Sequence, residues 1–169
     1  MTNITNDTDL DTELVLGTTE IPGASRLAES LARIGVTLGS QRVEMFRTEG
    51  EKSVELAGWW TALGMNPSID LAMCQPVDIA WFPWSLGCIR PSEYVLVPNA
   101  GALPLAPLSK RTIADIGMAT VLHLPLFVTA GDPIPLGALC CYWAAEISGV
   151  DQVALDRAFD MGRDALLDT

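Results

Sequence analysis

Hydrophobic spacing changes from helical to strand-like and back to helical along this chain, and that order constrains the fold more than any other feature of the sequence. Apolar residues at positions 27, 31, 34 and 38 recur at helical spacing, and Gly39 follows them where a helix commonly stops. Near the other end, Asp151 to Asp168 places one apolar stripe among acidic residues. We therefore predict an amphipathic helix from Ser25 and a second one over 151–168.

The segments between these helices show the alternation or the apolar runs of strands. Residues 41–49 and 53–61 alternate polar and apolar around the turn sequence Gly-Glu-Lys, which predicts an antiparallel hairpin. Residues 93–98 predict a brief strand. Residues 120–128 and 135–145 are apolar on both faces, so we expect these two strands at the centre of the sheet.

The rest of the middle region is irregular. Residues 63–78 contain Gly64, Pro67 and Pro76 without a clean period and predict a loop, whereas 108–116 predict a short helix that ends at Gly117. Helices at both ends and an antiparallel sheet between them indicate an α+β fold. In such a fold the terminal helices cover one face of the sheet, and the irregular middle covers the other.

The charge of the chain excludes one class of partner. Ten Lys and Arg against 21 Asp and Glu give a net charge of −11, and no basic cluster is present that could follow a phosphate backbone, so nucleic acid is not expected to bind. Residues 1–20 hold five of the acidic residues and no basic one, which predicts a disordered acidic leader. No apolar run has the length of a membrane span or the form of a secretory signal, so we expect a cytoplasmic protein.

The cysteines and the common catalytic motifs give no enzyme signature. Cys74, Cys88, Cys140 and Cys141 show neither a CxxC pair nor zinc-finger spacing, so buried reduced thiols are the simplest interpretation. The sequence also lacks a nucleophile elbow, a zinc-protease motif, a phosphate-binding glycine loop and a second histidine for a metal site. We therefore predict neither catalytic nor metal-binding residues.

Five blocks of sequence, in this order, resemble the GAF domains of bacterial signalling proteins. The resemblance covers roughly Ser25 to Leu167, and the blocks are "LARIGVTLGSQRVEMFR", "ELAGWWTALGM", "FPWSLGCIRPSEYVLVPNAGALP", "IADIGMATVLHLPLFV" and "IPLGALCCYWAAE". It implies that residues 21–169 form one GAF-like domain, whose antiparallel sheet has six strands or five plus a short edge strand. It also implies a sensory or regulatory role, a homodimer through the first and last helices, and signalling through the terminal helix to an output domain or partner.

In this family a small-molecule pocket lies on the sheet face away from the helices, which gives the aromatic residues of the chain a possible role. Trp59 and Trp60 are neighbours on a predicted strand and must point to opposite faces, and the sequence does not say which one faces the pocket. The same rings could instead fill a core. No Lys or Arg is placed to pair with an anion, so the expected ligand is mostly apolar or aromatic. The pocket candidates are Trp59, Trp81, Phe82, Trp84, Ser85, Cys88, His123 and Tyr142.

Several alternatives remain within the resemblance, and the ligand stays unknown. A bilin is disfavoured because Cys88 is followed by Ile89, and the single histidine, His123, lies far away. His123 could be the axial ligand of a haem, although a structural histidine is the simpler interpretation. A free methionine sulfoxide reductase would use Cys88 near Arg90 with Cys74 as the resolving thiol. A ligand-free homodimerisation module is the other alternative.

Overall fold

In the computed structural model, the described residues are 24–50, 52–65, 76–78, 93–99, 117–129 and 131–169. Three predicted features lie outside them, namely the leader 1–20, the short helix 108–116 and the aromatic segment 81–88. The elements, in chain order, are α1 (Ala24–Leu38), β1 (Arg42–Glu49), β2 (Ser53–Thr61), β3 (Val77–Asp78), β4 (Val95–Val97), β5 (Thr120–Leu126), β6 (Gly137–Trp143) and α2 (Gln152–Leu167).

Both terminal helices form where the periodicity predicts them. Gly39 follows α1 with a φ of +66°, a left-handed conformation that glycine adopts without strain. Asp151 caps the start of α2, because its carboxylate accepts a hydrogen bond from the backbone N–H of Ala154 at 2.9 Å. Neither described helix is long and apolar enough to cross a membrane.

The six described strands form one antiparallel sheet in the order β3-β2-β1-β6-β5-β4. The predicted hairpin of β1 and β2 is confirmed, with Gly50 at a φ of +67° in its turn. The prediction that the two last strands occupy the centre holds for β6 alone. Its central neighbour is β1, and β5 lies one strand further out. β1 alternates polar and apolar residues because one of its faces carries a buried polar network, described below.

The two helices pack on one face of the sheet, as predicted. Leu31 and Ile34 of α1 and Leu155 of α2 belong to one buried apolar cluster with side chains of the central strands. Trp60 belongs to this cluster, and its ring lies directly against the backbone of Gly35 in α1. Since neighbouring residues on a strand face opposite sides, Trp59 lies on the face away from the helices.

Candidate functional site

The sheet face away from the helices carries a row of polar side chains that crosses its central strands. In the strand register, Trp59 of β2 pairs with Glu44 of β1, Glu44 pairs with Cys140 of β6, and Cys140 pairs with His123 of β5. Two residues further along the same two strands, Arg42 of β1 pairs with Tyr142 of β6. We call Arg42, Glu44, His123, Cys140 and Tyr142 the polar face. All five are buried.

Glu44 is the centre of a hydrogen-bonded network on the polar face. Its Oε1 accepts from Arg42 Nε at 2.8 Å, and its Oε2 accepts from the Tyr142 hydroxyl at 2.7 Å. Arg42 is 1% exposed and Glu44 6% exposed, so water contributes little to the solvation of either charge. A buried ion pair of this kind is tolerated where hydrogen bonds replace the lost hydration, and the Tyr142 hydroxyl supplies one such bond.

Burial keeps Tyr142 in its hydrogen-bond-donating form. Desolvation and then the negative charge of Glu44 raise the pKa of the Tyr142 phenol well above its usual range. The phenol therefore stays protonated at neutral pH and holds the Glu44 carboxylate in a fixed orientation. A fixed carboxylate is a positioned acceptor for a donor group on any molecule that reaches this face.

The second polar contact of the face joins a thiol to an imidazole. Cys140 Sγ lies 3.1 Å from His123 Nδ1, and both side chains are buried. Burial lowers the pKa of His123 to about 3, whereas burial and the charge of Glu44 raise the pKa of the Cys140 thiol well above its usual range. Both groups are therefore neutral at pH 7, and Cys140 is not an activated thiolate.

The structure places three of the eight pocket candidates on one face of the sheet. Trp59, His123 and Tyr142 lie on the face away from the helices, and Trp59 is half-buried there. The others, Trp81, Phe82, Trp84, Ser85 and Cys88, lie outside the described residues.

Arg42, Glu44 and Cys140 were not among the pocket candidates predicted from the sequence. Alternation places Arg42 and Glu44 on the polar side of a strand, and that side ordinarily faces solvent. The signal that could have found them is a pair of opposite charges two residues apart, on one side of a strand otherwise flanked by apolar segments. Nothing in the sequence indicates that Tyr142 meets Glu44.

No metal centre is visible among the described residues, where no three His, Cys, Asp or Glu side chains cluster in a way that could hold an ion. The haem alternative stays a prediction, with His123 Nδ1 facing the thiol of Cys140.

A groove of about 630 Å³ lies elsewhere, on the helix side of the sheet. It runs between α1 and α2 and is lined by Arg26, Ser30, Arg33, Met161, Asp164, Ala165, Asp168 and Thr169. This groove is remote from the polar face, since the sheet lies between them, and its lining includes charges of both signs. It is therefore not the pocket that the sequence predicts.

Sequence comparison identifies no relative, whereas structural comparison identifies the fold. No protein-family model matches the chain, and no curated protein matches its sequence. Among solved structures, the blue-light absorbing form of the Thermosynechococcus elongatus PixJ GAF domain is 14% identical, with a TM-score of 0.62, over 85% of this chain and 83% of that one. A GAF domain/HD domain protein from Geobacter sulfurreducens is 11% identical, with a TM-score of 0.63, over 85% and 89%.

A third similar structure is a domain of a protein described as a two-component sensor histidine kinase from Sinorhizobium meliloti. It is 18% identical, with a TM-score of 0.57, over 80% of this chain and 83% of that one. These likenesses establish that the chain has the fold of bacterial GAF domains, which confirms both the α+β architecture predicted from periodicity and the resemblance to GAF domains. PixJ is described as a cyanobacteriochrome receptor, and the Sinorhizobium meliloti protein as a sensor histidine kinase.

Proposed function

We propose that this chain is a small-molecule-sensing regulatory domain of a bacterial signal-transduction protein, and that its ligand binds against the polar face. The observation that carries this proposal is the buried network of Arg42, Glu44 and Tyr142 on the side of the sheet away from the helices. The sensory roles of similarly folded domains agree with it.

The energetics of the network support a role beyond packing. Apolar residues of similar volume commonly stabilise a core as well as a buried ion pair does, because they avoid the desolvation cost. A sheet face that served only as core could therefore be built from apolar residues in place of Arg42 and Glu44. A face that recognises a polar molecule needs fixed donors and acceptors, and the half-buried Trp59 beside Glu44 offers an aromatic surface to a ligand ring.

The output is proposed to pass through the terminal helices, which form one layer on the other side of the sheet. Both helices carry exposed charges of either sign, namely Arg26, Glu29 and Arg33 on α1, and Asp156, Arg157, Asp160 and Asp164 on α2. The homodimer through α1 and α2 is proposed because the resemblance to GAF domains implies it. A monomer mass in sedimentation at micromolar concentration would contradict the homodimer.

The reductase alternative gains no support from the described cysteines. Cys140 and Cys141 are buried, and burial together with the charge of Glu44 raises the pKa of both thiols. A reductase needs an accessible thiolate, so Cys140 and Cys141 are unsuited to that chemistry. Cys74 and Cys88 lie outside the described residues, and a thiol-dependent turnover that Cys88→Ser abolishes would identify such an enzyme.

The sensor proposal is tested by native mass spectrometry and an absorption spectrum of the full chain, freshly purified from its own host. We expect a co-purifying small molecule, seen as added mass or as an absorption band, and we expect Trp59→Ala to reduce its occupancy. Phe159→Ala is the matched control, because Phe159 is a half-buried aromatic residue on α2, across the sheet. A wild-type protein with neither added mass nor absorbance would favour the ligand-free dimerisation module.

A further inference from the structure

Strand β1 contacts both layers of the domain at positions three residues apart. Glu44 lies on the polar face, whereas Arg47 lies on the helix face and reaches the end of α2. Arg47 Nη2 donates to the carbonyl oxygen of Leu166 at 3.4 Å and also to the Thr169 hydroxyl. The two β1 positions are separated by only about 10 Å along the strand.

The contact of Arg47 is with a part of α2 that needs external partners. The last carbonyls of a helix have no N–H donor within the helix, and a positive charge near them is favourable because the helix dipole is negative there. Thr169 adds a second donor, since its hydroxyl lies 3.2 Å from the same Leu166 oxygen. The end of α2 is therefore attached to β1 through a charged side chain.

Close packing strengthens this attachment. Gly137 of β6 pairs with Arg47, and a Cβ at Gly137 would overlap both the Phe46 carbonyl and the Leu166 side chain. The missing side chain lets β1, β6 and the last turn of α2 approach each other closely. A small shift of β1 relative to β6 therefore changes the position that Arg47 offers to α2.

We propose that Arg47 couples the polar face to the end of α2, so that a change in the Glu44 network alters how firmly the last turn of the helix is held. In one arrangement the guanidinium binds the Leu166 carbonyl and the Thr169 hydroxyl. In the other arrangement it is released and the turn frays. As the output route of the sensor, the coupling rests on the proposed function. As a property of the chain, it is measurable without any ligand.

Hydrogen exchange of the ligand-free full chain tests the coupling through a double-mutant cycle. Glu44→Gln perturbs the polar face, and Arg47→Met removes the guanidinium but keeps an apolar stem. We expect Arg47→Met to speed exchange of the amides at 166–168. We expect Glu44→Gln to speed the same amides by about threefold to tenfold in the wild-type background. In the Arg47→Met background, the added effect of Glu44→Gln should disappear.

An equal effect of Glu44→Gln in both backgrounds, or no effect in either, would overturn the coupling. Arg163→Met is the matched control, because Arg163 pairs with Asp160 and Asp164 within α2. The Glu44→Gln effect should persist in that background.

If Glu44→Gln does not fold, Tyr142→Phe removes a single hydrogen bond to Glu44 and completes the same cycle. A wild-type protein without a co-purifying ligand would favour the ligand-free module over the sensor and leave this result unchanged, whereas additive exchange effects would refute the coupling and leave the sensor proposal untouched.

Discussion

The ring of Trp60 occupies the space in which a side chain at Gly35 would lie. A Cβ placed on Gly35 would overlap three carbon atoms of the ring, so this glycine permits the close approach of α1 and β2. Trp60 is buried at this contact and thereby fixes the face on which Trp59 lies.

Gly35→Ala should therefore destabilise the protein, although alanine is the better helix former. Overpacking a core commonly costs about 1–3 kcal/mol, which exceeds the gain of about 1 kcal/mol from replacing a glycine inside a helix. Urea unfolding at equilibrium measures the difference. The control is Gly149→Ala, because a Cβ at the exposed Gly149 would meet no atom within 4 Å. Equal stability of Gly35→Ala and the wild type would show that the helix is not held against Trp60.

The buried ion pair gives a second prediction, in which one substitution is harmful and a double substitution is tolerated. Glu44→Gln removes the carboxylate beside the buried Arg42 guanidinium, and losing one partner of such a pair costs about 3–5 kcal/mol. Arg42→Met combined with Glu44→Leu removes both charges and should return part of that stability, less about 1–3 kcal/mol because the buried Tyr142 hydroxyl loses its acceptor.

Chemical denaturation of the single and double variants measures both effects. If the double variant is as unstable as Glu44→Gln alone, the network holds the fold together in its own right. The proposal that it is kept for recognition would then lose its energetic argument.

The elements were predictable from the sequence because they follow from local periodicity, whereas most of the polar face was not. Apolar spacing located both helices and the β1–β2 hairpin. Alternation in β1 also showed that Arg42 and Glu44 share one side of a strand, but the polar side of an alternating strand ordinarily faces solvent. Their burial depends on what covers the sheet, and the partner of Glu44 is Tyr142, 98 positions away. Such pairings follow from strand order, which periodicity does not encode.

His123 makes stability depend on pH. Burial lowers its pKa from 6.5 to about 3 in the folded protein, so between these values the unfolded chain binds a proton that the folded chain does not. The contribution of His123 to the free energy of unfolding is therefore fully present above about pH 6.5 and is lost as the pH decreases toward 3. The free energy falls by at most about 1.4 kcal/mol per pH unit because of this residue. Denaturation measured from pH 7.5 to 4.5 should show the loss.

The carboxylates also titrate at the acidic end of that range, so the contribution of His123 is the difference between the wild type and His123→Asn. Asparagine does not gain a proton in this range and keeps a polar group on the polar face. The slope between pH 6.5 and 5 should be smaller in His123→Asn. If the two proteins lose stability in parallel, His123 is not buried as a neutral imidazole.

Thiol reactivity tests the burial of Cys140 and Cys141 directly. Both side chains are buried, and desolvation raises the pKa of each thiol, so the reactive thiolate is scarce and inaccessible in the folded state. We expect iodoacetamide to modify both residues at least about a hundredfold more slowly in the native protein than in urea, since labelling must wait for rare opening of the central strand. Peptide mapping by mass spectrometry separates the peptide holding these two cysteines from those that hold Cys74 and Cys88.

Fast native labelling of Cys140 would show that the polar face is open to solvent. The polar face would then be exposed to solvent, together with Trp59 beside it. The proposal of a buried recognition face would be wrong.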